Sequence, residues 1–331
     1  KDKSIFSIYI SNPVLWMDYL NLWDYYGDRI SSVYLPDRVV NMLPNMMSNK
    51  VAGLVEGETA IAFVMDIQIV CDKIESVDYK NVLIKVKKNY RYEEKKLLKN
   101  PMYKTILTLM SSIGMSVENS YKCIEKWMIY FNSKIGETLS QYNRGVYRFC
   151  RVLKTNDKTI PLPLIDYITW GETNSGYSLY DKDLTHLVLG VSYYAQMSSP
   201  IRRIVDILNM IEMHDQMGMC TLSTNTINYK NNWLTKIEDI NNTIRSIKRL
   251  EYDTKLLKYY LNTENVTNRV YEGYIVAILD EKIFKVFIPE LEVSTILKNI
   301  QPMALYTKIQ CRLCLLQDEV NIVQKIRLNI V

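Results

Sequence analysis

Residues 194–206 read Tyr-Ala-Gln-Met-Ser-Ser-Pro-Ile-Arg-Arg-Ile-Val-Asp. Ser199 before Pro200 is a helix-start signal: a hydroxyl suited to capping free N–H groups, then a residue whose fixed φ fits the first helical position. Ile201, Ile204, Leu208 and Ile211 follow at helical spacing and predict one apolar face. Arg202 falls in the expected first turn. A helix N-terminus with an arginine beside it attracts an anion, phosphate above all. A plain capped helix with a solvated arginine would read the same way, so the flanking sequence has to decide.

Upstream, residues 4–13 alternate apolar and polar up to Pro13, as a strand halted by proline does. Ala60–Val70 and Asn81–Lys87 predict two more strands. The period then changes. Leu97, Met102, Ile106, Leu107, Met110 and Ile113 recur at helical spacing, with Pro101 starting a new helix or kinking the old one. Cys123, Ile124, Trp127, Met128, Phe131 and Ile135 form the next helical stripe. Downstream, Trp233, Ile237, Ile240, Ile244 and Ile247 mark a long helix running toward Tyr260.

Asn262–Asn268 is polar and makes the best domain boundary in the chain. Beyond it the pattern is all strand. Tyr274–Leu279, a turn at Asp280-Glu281, Ile283–Ile288, Leu305–Leu316 and Asn321–Ile330 predict four or five strands, the density of a small closed barrel of the OB type. The expected fold class is α+β, with a mixed sheet and helices over residues 1–265 and the barrel over 269–331.

The 331 residues suggest about two domains, and 48% apolar with 23% charged residues is globular composition. No apolar run reaches the ~18 residues of a spanning helix, and Lys1–Ser7 carries no secretory core. The net charge of +5 permits a nucleic-acid channel without demanding one. Cysteines stand at 71, 123, 150, 220, 311 and 314, five of them among apolar neighbours, as inert core thiols are. Cys311 and Cys314 have the spacing of half a zinc site, but no second pair answers them. His186 and His214 are the only histidines, which excludes a histidine-rich metal site. A reducing, cytoplasmic compartment is expected. Twenty-five tyrosines against 11 glycines reflect AT-rich codons, of the kind a viral or parasite genome produces. The tyrosine count is therefore no evidence of base stacking.

The 194–206 stretch resembles the Thr-Ser-Pro-Ile-Arg-(Arg/Lys) segment of the RNase II family, the exoribonucleases built on an RNB domain. Other segments resemble the same family in the same order. Ser32-Val-Tyr-Leu-Pro-Asp-Arg-Val-Val-Asn-Met-Leu-Pro44, followed by Ser48-Asn49, is similar to Val-Tyr-(Phe/Leu)-Pro-Asp-Arg-Val-x-Pro-Met-Leu-Pro. Lys87-Lys-Asn-Tyr-Arg-Tyr-Glu-Glu94 is similar to Ala-Lys-Leu-Thr-Tyr-Glu-Glu. Ile124-Glu-Lys-Trp-Met128, with Asn132 beyond it, is similar to Val-Glu-Glu-x-Met. Tyr177-Ser-Leu and His186-Leu-Val-Leu resemble the approach to the Ser-Pro-Ile-Arg segment. These segments span most of residues 4–261. Family members end in an S1-type OB barrel, where strand spacing independently places one.

The resemblance implies a hydrolytic exoribonuclease that degrades single-stranded RNA from the 3′ end to nucleoside 5′-monophosphates with Mg2+ or Mn2+. Single-stranded RNA and a larger RNA-processing assembly are the implied partners, and a membrane is not. Tyr34 corresponds to a tyrosine that packs on the RNA near its 3′ end, and Tyr92 to one that approaches a ribose 2′-hydroxyl. Arg202 corresponds to the arginine at the scissile phosphate, the implied catalytic residue of this chain. Glu251 corresponds, across a gap, to a glutamate in the helix that follows. Glu125 and Lys126 stand at the paired glutamates of Val-Glu-Glu, the second of which holds the ribose beside the tyrosine.

Three departures qualify this. The family's metal-binding aspartates come just before the strand matching Phe6–Ile10, so they are expected upstream of Lys1, and Asp2 alone does not make a two-metal site. The family's Ile-Ala-Asp is Ile10-Ser11-Asn12 here, one carboxylate fewer. Lys126 inverts a charge, which weakens the expected discrimination against DNA unless the lysine meets a phosphate. The 331-residue chain alone is expected to be catalytically incomplete. The alternative is a catalytically degenerate member serving as an RNA-binding or structural subunit.

Overall fold

The computed structural model describes residues 3–25, 29–152, 161–164, 167, 173–181, 184–263, 266, 268–299, 301–318 and 323–331. Asp2, part of the Asn262–Asn268 boundary and the first two residues of the expected Asn321–Ile330 strand lie outside these. The chain divides into two compact units: residues 1–33, 40–151 and 175–244, and residues 34–39, 152–174 and 245–331.

In the first unit, β1 (Lys3–Ser11), β4 (Thr59–Val70) and β5 (Lys73–Lys85) form an antiparallel sheet in the order β1-β4-β5. The short strands β2 (Val33–Tyr34) and β3 (Val39–Val40) lie between β1 and β4 in the chain. β4 is the central strand, and Ala62, Phe63, Val64, Met65 and Ile67 are fully buried along it, which explains its nearly continuous apolar run. β5 begins eight residues before the expected Asn81. Its first half reads Lys-Ile-Glu-Ser-Val-Asp-Tyr-Lys, an exposed edge whose apolar positions are too few to announce a strand. Cys71 and Asp72 close the β4–β5 hairpin, both at positive φ, and Cys71 is exposed there. Of the other five cysteines, Cys123, Cys150 and Cys311 are buried, while Cys220 and Cys314 are half-buried.

Pro13 does more than stop β1. It is the first residue of α1 (Pro13–Tyr19), capped by the Asn12 side chain, which accepts from the Leu15 N–H. After α2 (Lys95–Leu98) and α3 (Pro101–Ser112), the long α4 (Ser120–Ser140) turns Trp127, Phe131, Ile135 and Leu139 inward. Phe6 stacks on Trp127 at 4.2 Å, and Phe131 meets Phe63 edge-on at 6.3 Å, so α4 covers one face of the sheet. A two-stranded sheet of β6 (Val146–Val152) and β7 (Thr173–Leu179) follows.

At the centre of this unit is α5 (Ile204–Gln216), buried at every position from Ile204 to His214. Its polar residues Asp206, Asn209, Glu212 and His214 are buried as well, so the apolar stripe Ile204, Leu208, Ile211 understated its burial. The long helix expected from Trp233 is two helices, α6 (Thr224–Leu234) and α7 (Ile237–Asn262), broken at Thr235-Lys236.

The second unit contains a closed five-stranded barrel, in the order β10-β12-β11-β8-β9. Its strands are β8 (Tyr271–Asp280), β9 (Ile283–Ile288), β10 (Val293–Lys298), β11 (Lys308–Asp318) and β12 (Val323–Ile330). Tyr271, Ile275, Phe284, Val286, Ile288, Val293, Leu297, Ile309, Cys311 and Leu328 fill its interior. Gly273 admits the neighbouring strand there: a Cβ would lie 2.8 Å from Val286 Cγ1. β10 escaped the sequence because a Pro289–Leu291 turn and Glu292 at positive φ interrupt the pattern just before it. Burial in this core pushes the Cys311 thiol up to about 11. No helix among the described residues is long and apolar enough to cross a membrane.

Candidate nucleic-acid interface

Arg202 sits ahead of the α5 helix and not inside its first turn. The helix begins at Ile204, and Ser199 does not cap it. The Ile204 N–H donates to the Ile30 carbonyl at 2.9 Å. Buried Asp206, in the first turn, accepts from the Ser199 N–H at 2.7 Å and from the Arg203 guanidinium at 2.8 Å. A tertiary carbonyl and a carboxylate thus take the place that the sequence reading gave to a phosphate at the helix end.

This arrangement fixes a tight turn over Ser199–Arg203. The Arg202 carbonyl accepts from the Ser32 N–H at 3.0 Å and the Ser31 hydroxyl at 3.1 Å, while its own N–H donates to the Ser199 carbonyl at 3.1 Å. Its side chain is exposed, and among the described residues its guanidinium meets no carboxylate. The neighbouring Arg203 is consumed by Asp206. Two adjacent arginines therefore divide the labour, one holding the turn and the other presented to solvent.

Asn12 is fully buried. Its amide donates to Asn81 Oδ1 at 2.9 Å and lies 3.2 Å from His214 Nε2. His214, also fully buried, lies 3.1 Å from Asn81 Oδ1 and packs edge-on to Phe63. Burial pulls the imidazole down to about 4, against a smaller opposing pull from Asp18, so it is neutral near pH 7. Burial alone would raise the Asp18 carboxyl, but hydrogen bonds from Ser223 and Thr226 hold it below its ordinary value. Where the family pattern has a carboxylate, this chain has a neutral, sealed amide that caps α1.

In the second unit, the structure brings two expected site residues together. The Tyr34 N–H donates to Glu251 Oε1 at 2.7 Å, and Lys258 Nζ donates to the Pro36 carbonyl at 2.9 Å. Tyr34 keeps 47% of its surface exposed. Glu251, at which the sequence comparison needed a gap, is thus a carboxylate on α7 that orients the backbone of the aromatic residue and leaves its ring open.

Tyr92 is 55% exposed and lies in a loop before α2. Glu125 is paired with Lys122 at 2.6 Å. Lys126 donates to the Ser116 carbonyl at 2.8 Å, so its ammonium holds the turn that leads into α4. Sequence reading missed Tyr121, whose ring centroid is 5.3 Å from that of Tyr92. Nothing local signals it, because the contact joins residues 29 positions apart.

Among the described residues, no group of three or more His, Cys, Asp or Glu could hold a metal ion. Asn12 offers only an amide already bonded on both atoms. These residues do not fit a divalent-metal centre.

Residues 16–105 match the RNB domain family, and no curated protein matches in sequence. Mycoplasma genitalium RNase R, solved with ribose-methylated single-stranded RNA, superposes with a TM-score of 0.71 at 15% identity over 98% of this chain and 67% of its own. An active-site mutant of the Dss1 exoribonuclease from Candida glabrata gives 0.71 at 14% identity, over 98% of this chain and 51% of its own. Yeast Ssd1, a pseudonuclease, gives 0.61 at 13%, over 89% of this chain and 46% of its own. Residues 16–105 thus match an RNB domain, and the fold is the one seen in RNase R, with a closed barrel of the OB type near the C-terminus. The chain spans about two thirds of the length of RNase R and about half that of Dss1.

Proposed function

We propose that this chain is the RNA-handling core of a 3′-to-5′ hydrolytic exoribonuclease that acts on single-stranded RNA and releases nucleoside 5′-monophosphates. The observation that supports it most is the Ser199–Arg203 turn, whose backbone is pinned while the Arg202 guanidinium meets no carboxylate among the described residues. A guanidinium carried on a fixed backbone offers paired N–H donors to phosphate oxygens, and their hold strengthens as negative charge builds on them during hydrolysis. Tyr34, oriented by Glu251, offers a π-face for sequence-tolerant stacking, and the S1-type barrel adds a second RNA surface. Mg2+ or Mn2+ belongs to this reading as an ion held by carboxylates other than those described here. Arg202, Tyr34, Tyr92 and Glu251 bind and orient the strand.

The second reading, an RNA-binding or structural subunit without chemistry, draws on the sealed Asn12 and on Lys126, committed to Ser116. The test is product analysis on a uniformly labelled unstructured RNA with the full-length protein in Mg2+ or Mn2+. Nucleoside 5′-monophosphates should accumulate. Arg202→Ala should lower turnover by about 10²-fold with a modest change in affinity, the scale of losing one electrostatic donor. Intact RNA under both metals would remove the exoribonuclease reading and leave the binding subunit.

A further inference from the structure

Tyr92 and Tyr121 form an aromatic pair in an unusual setting. Both rings lie mostly in water, 55% and 58% exposed, yet they are held at 5.3 Å and 60° to one another. Apolar rings left in solvent normally collapse onto a core or move freely. These are clamped by their neighbours. The Glu93 carboxylate accepts from the Ser120 N–H at 2.7 Å and from its hydroxyl at 2.6 Å, and the Glu93 N–H donates back to that hydroxyl at 2.9 Å. Glu93 takes φ +55 to make this clasp, a backbone state that a non-glycine residue adopts at a cost. Asn119 caps α4 by accepting from the Lys122 N–H, fixing the helix end that carries Tyr121. Each tyrosine directly adjoins one end of the clasp.

The charge around the pair suits a polyanion. Residues 87–99 hold six Lys or Arg against two Glu. At 5.3 Å the rings leave no room for a base between them, so a ligand lies on an open ring face with the second ring contributing beside it.

From this geometry we infer that Tyr92 and Tyr121 together form a two-ring stacking platform for one unpaired base of single-stranded RNA, with Tyr121 a direct contact. The inference rests on the RNA-binding reading above. A base has a π-face whatever its identity, so the platform is sequence-tolerant, and it makes no phosphate contact of its own.

The experiment measures the affinity of the whole chain for an unstructured RNA oligomer across a salt series. Tyr121→Ala should weaken binding about tenfold, the scale of one base–aromatic stack. Tyr121→Phe should bind as the unsubstituted chain does. Tyr121→Leu, which keeps apolar packing against Tyr92 but has no π-face, should behave like Tyr121→Ala. The salt slope should stay unchanged in all three, because no phosphate contact is lost. Binding by Tyr121→Leu at the unsubstituted level would overturn the inference and make Tyr121 a prop for Tyr92. Full affinity in Tyr121→Ala would overturn it outright. A chain that binds no RNA even before substitution would overturn the parent reading, and this inference with it.

Discussion

Asp206→Ala should destabilise the protein by about 3–5 kcal/mol, the cost of leaving one charge of a buried pair without its partner. Asp206 is fully buried and accepts from Ser199 and Arg203, with Arg203 Nε also within 2.7 Å of Oδ1. Removing the carboxylate strands the Arg203 guanidinium and frees the Ser199 N–H together. Adding Arg203→Met to Asp206→Ala should recover most of the loss, since the stranded charge goes with it. Urea unfolding of the two variants measures both. A single-variant loss below about 1 kcal/mol would mean that the turn presenting Arg202 is held by something other than this pair.

Acidification should cost the protein roughly 3 kcal/mol of stability between pH 6.5 and pH 4 through His214 alone. The folded imidazole titrates at about 4 and the unfolded one near 6.5. The unfolded chain therefore binds the proton first, and the stability present above pH 6.5 drains away as pH falls toward 4. Asn12→Asp places a carboxylate 3.2 Å from this ring and removes the amide that donates to Asn81. At pH 8 it should cost about 2–4 kcal/mol, by burying a charge and losing a donor. It should also flatten the acid loss, because a neighbouring anion raises the folded pKa of His214. Thermal unfolding from pH 4 to pH 8 reads both effects. An acid slope that His214→Gln leaves unchanged would place the titrating group elsewhere.

The barrel was legible because β8, β9, β11 and β12 are apolar runs separated by polar turns. β10 was not, because the turn before it borrows an αL residue, Glu292, in place of a glycine. Ser199-Pro200 has the local chemistry of a helix start, yet α5 begins at Ile204, where the carbonyl of Ile30 and the carboxylate of Asp206 make a better end. Asp206 lies in the helix's own first turn, but Ile30 is far away in the chain. The same distance hides the link from Tyr34 to Glu251, 217 residues apart, and that from Glu93 to Ser120, 27 apart. Residue types at the interface could be read from the sequence. Which of them are consumed by structure, as Arg203 and Asn12 are, depends on contacts that only the fold supplies.

We propose that this chain grips single-stranded RNA by its phosphates. The most direct measurement is the affinity of the 331-residue chain for an unstructured RNA as salt is raised. Binding should be present at low salt, and log K should fall linearly with log salt, with a slope of about −0.7 for each phosphate neutralised. No binding at low salt, or an affinity indifferent to salt, would contradict the account.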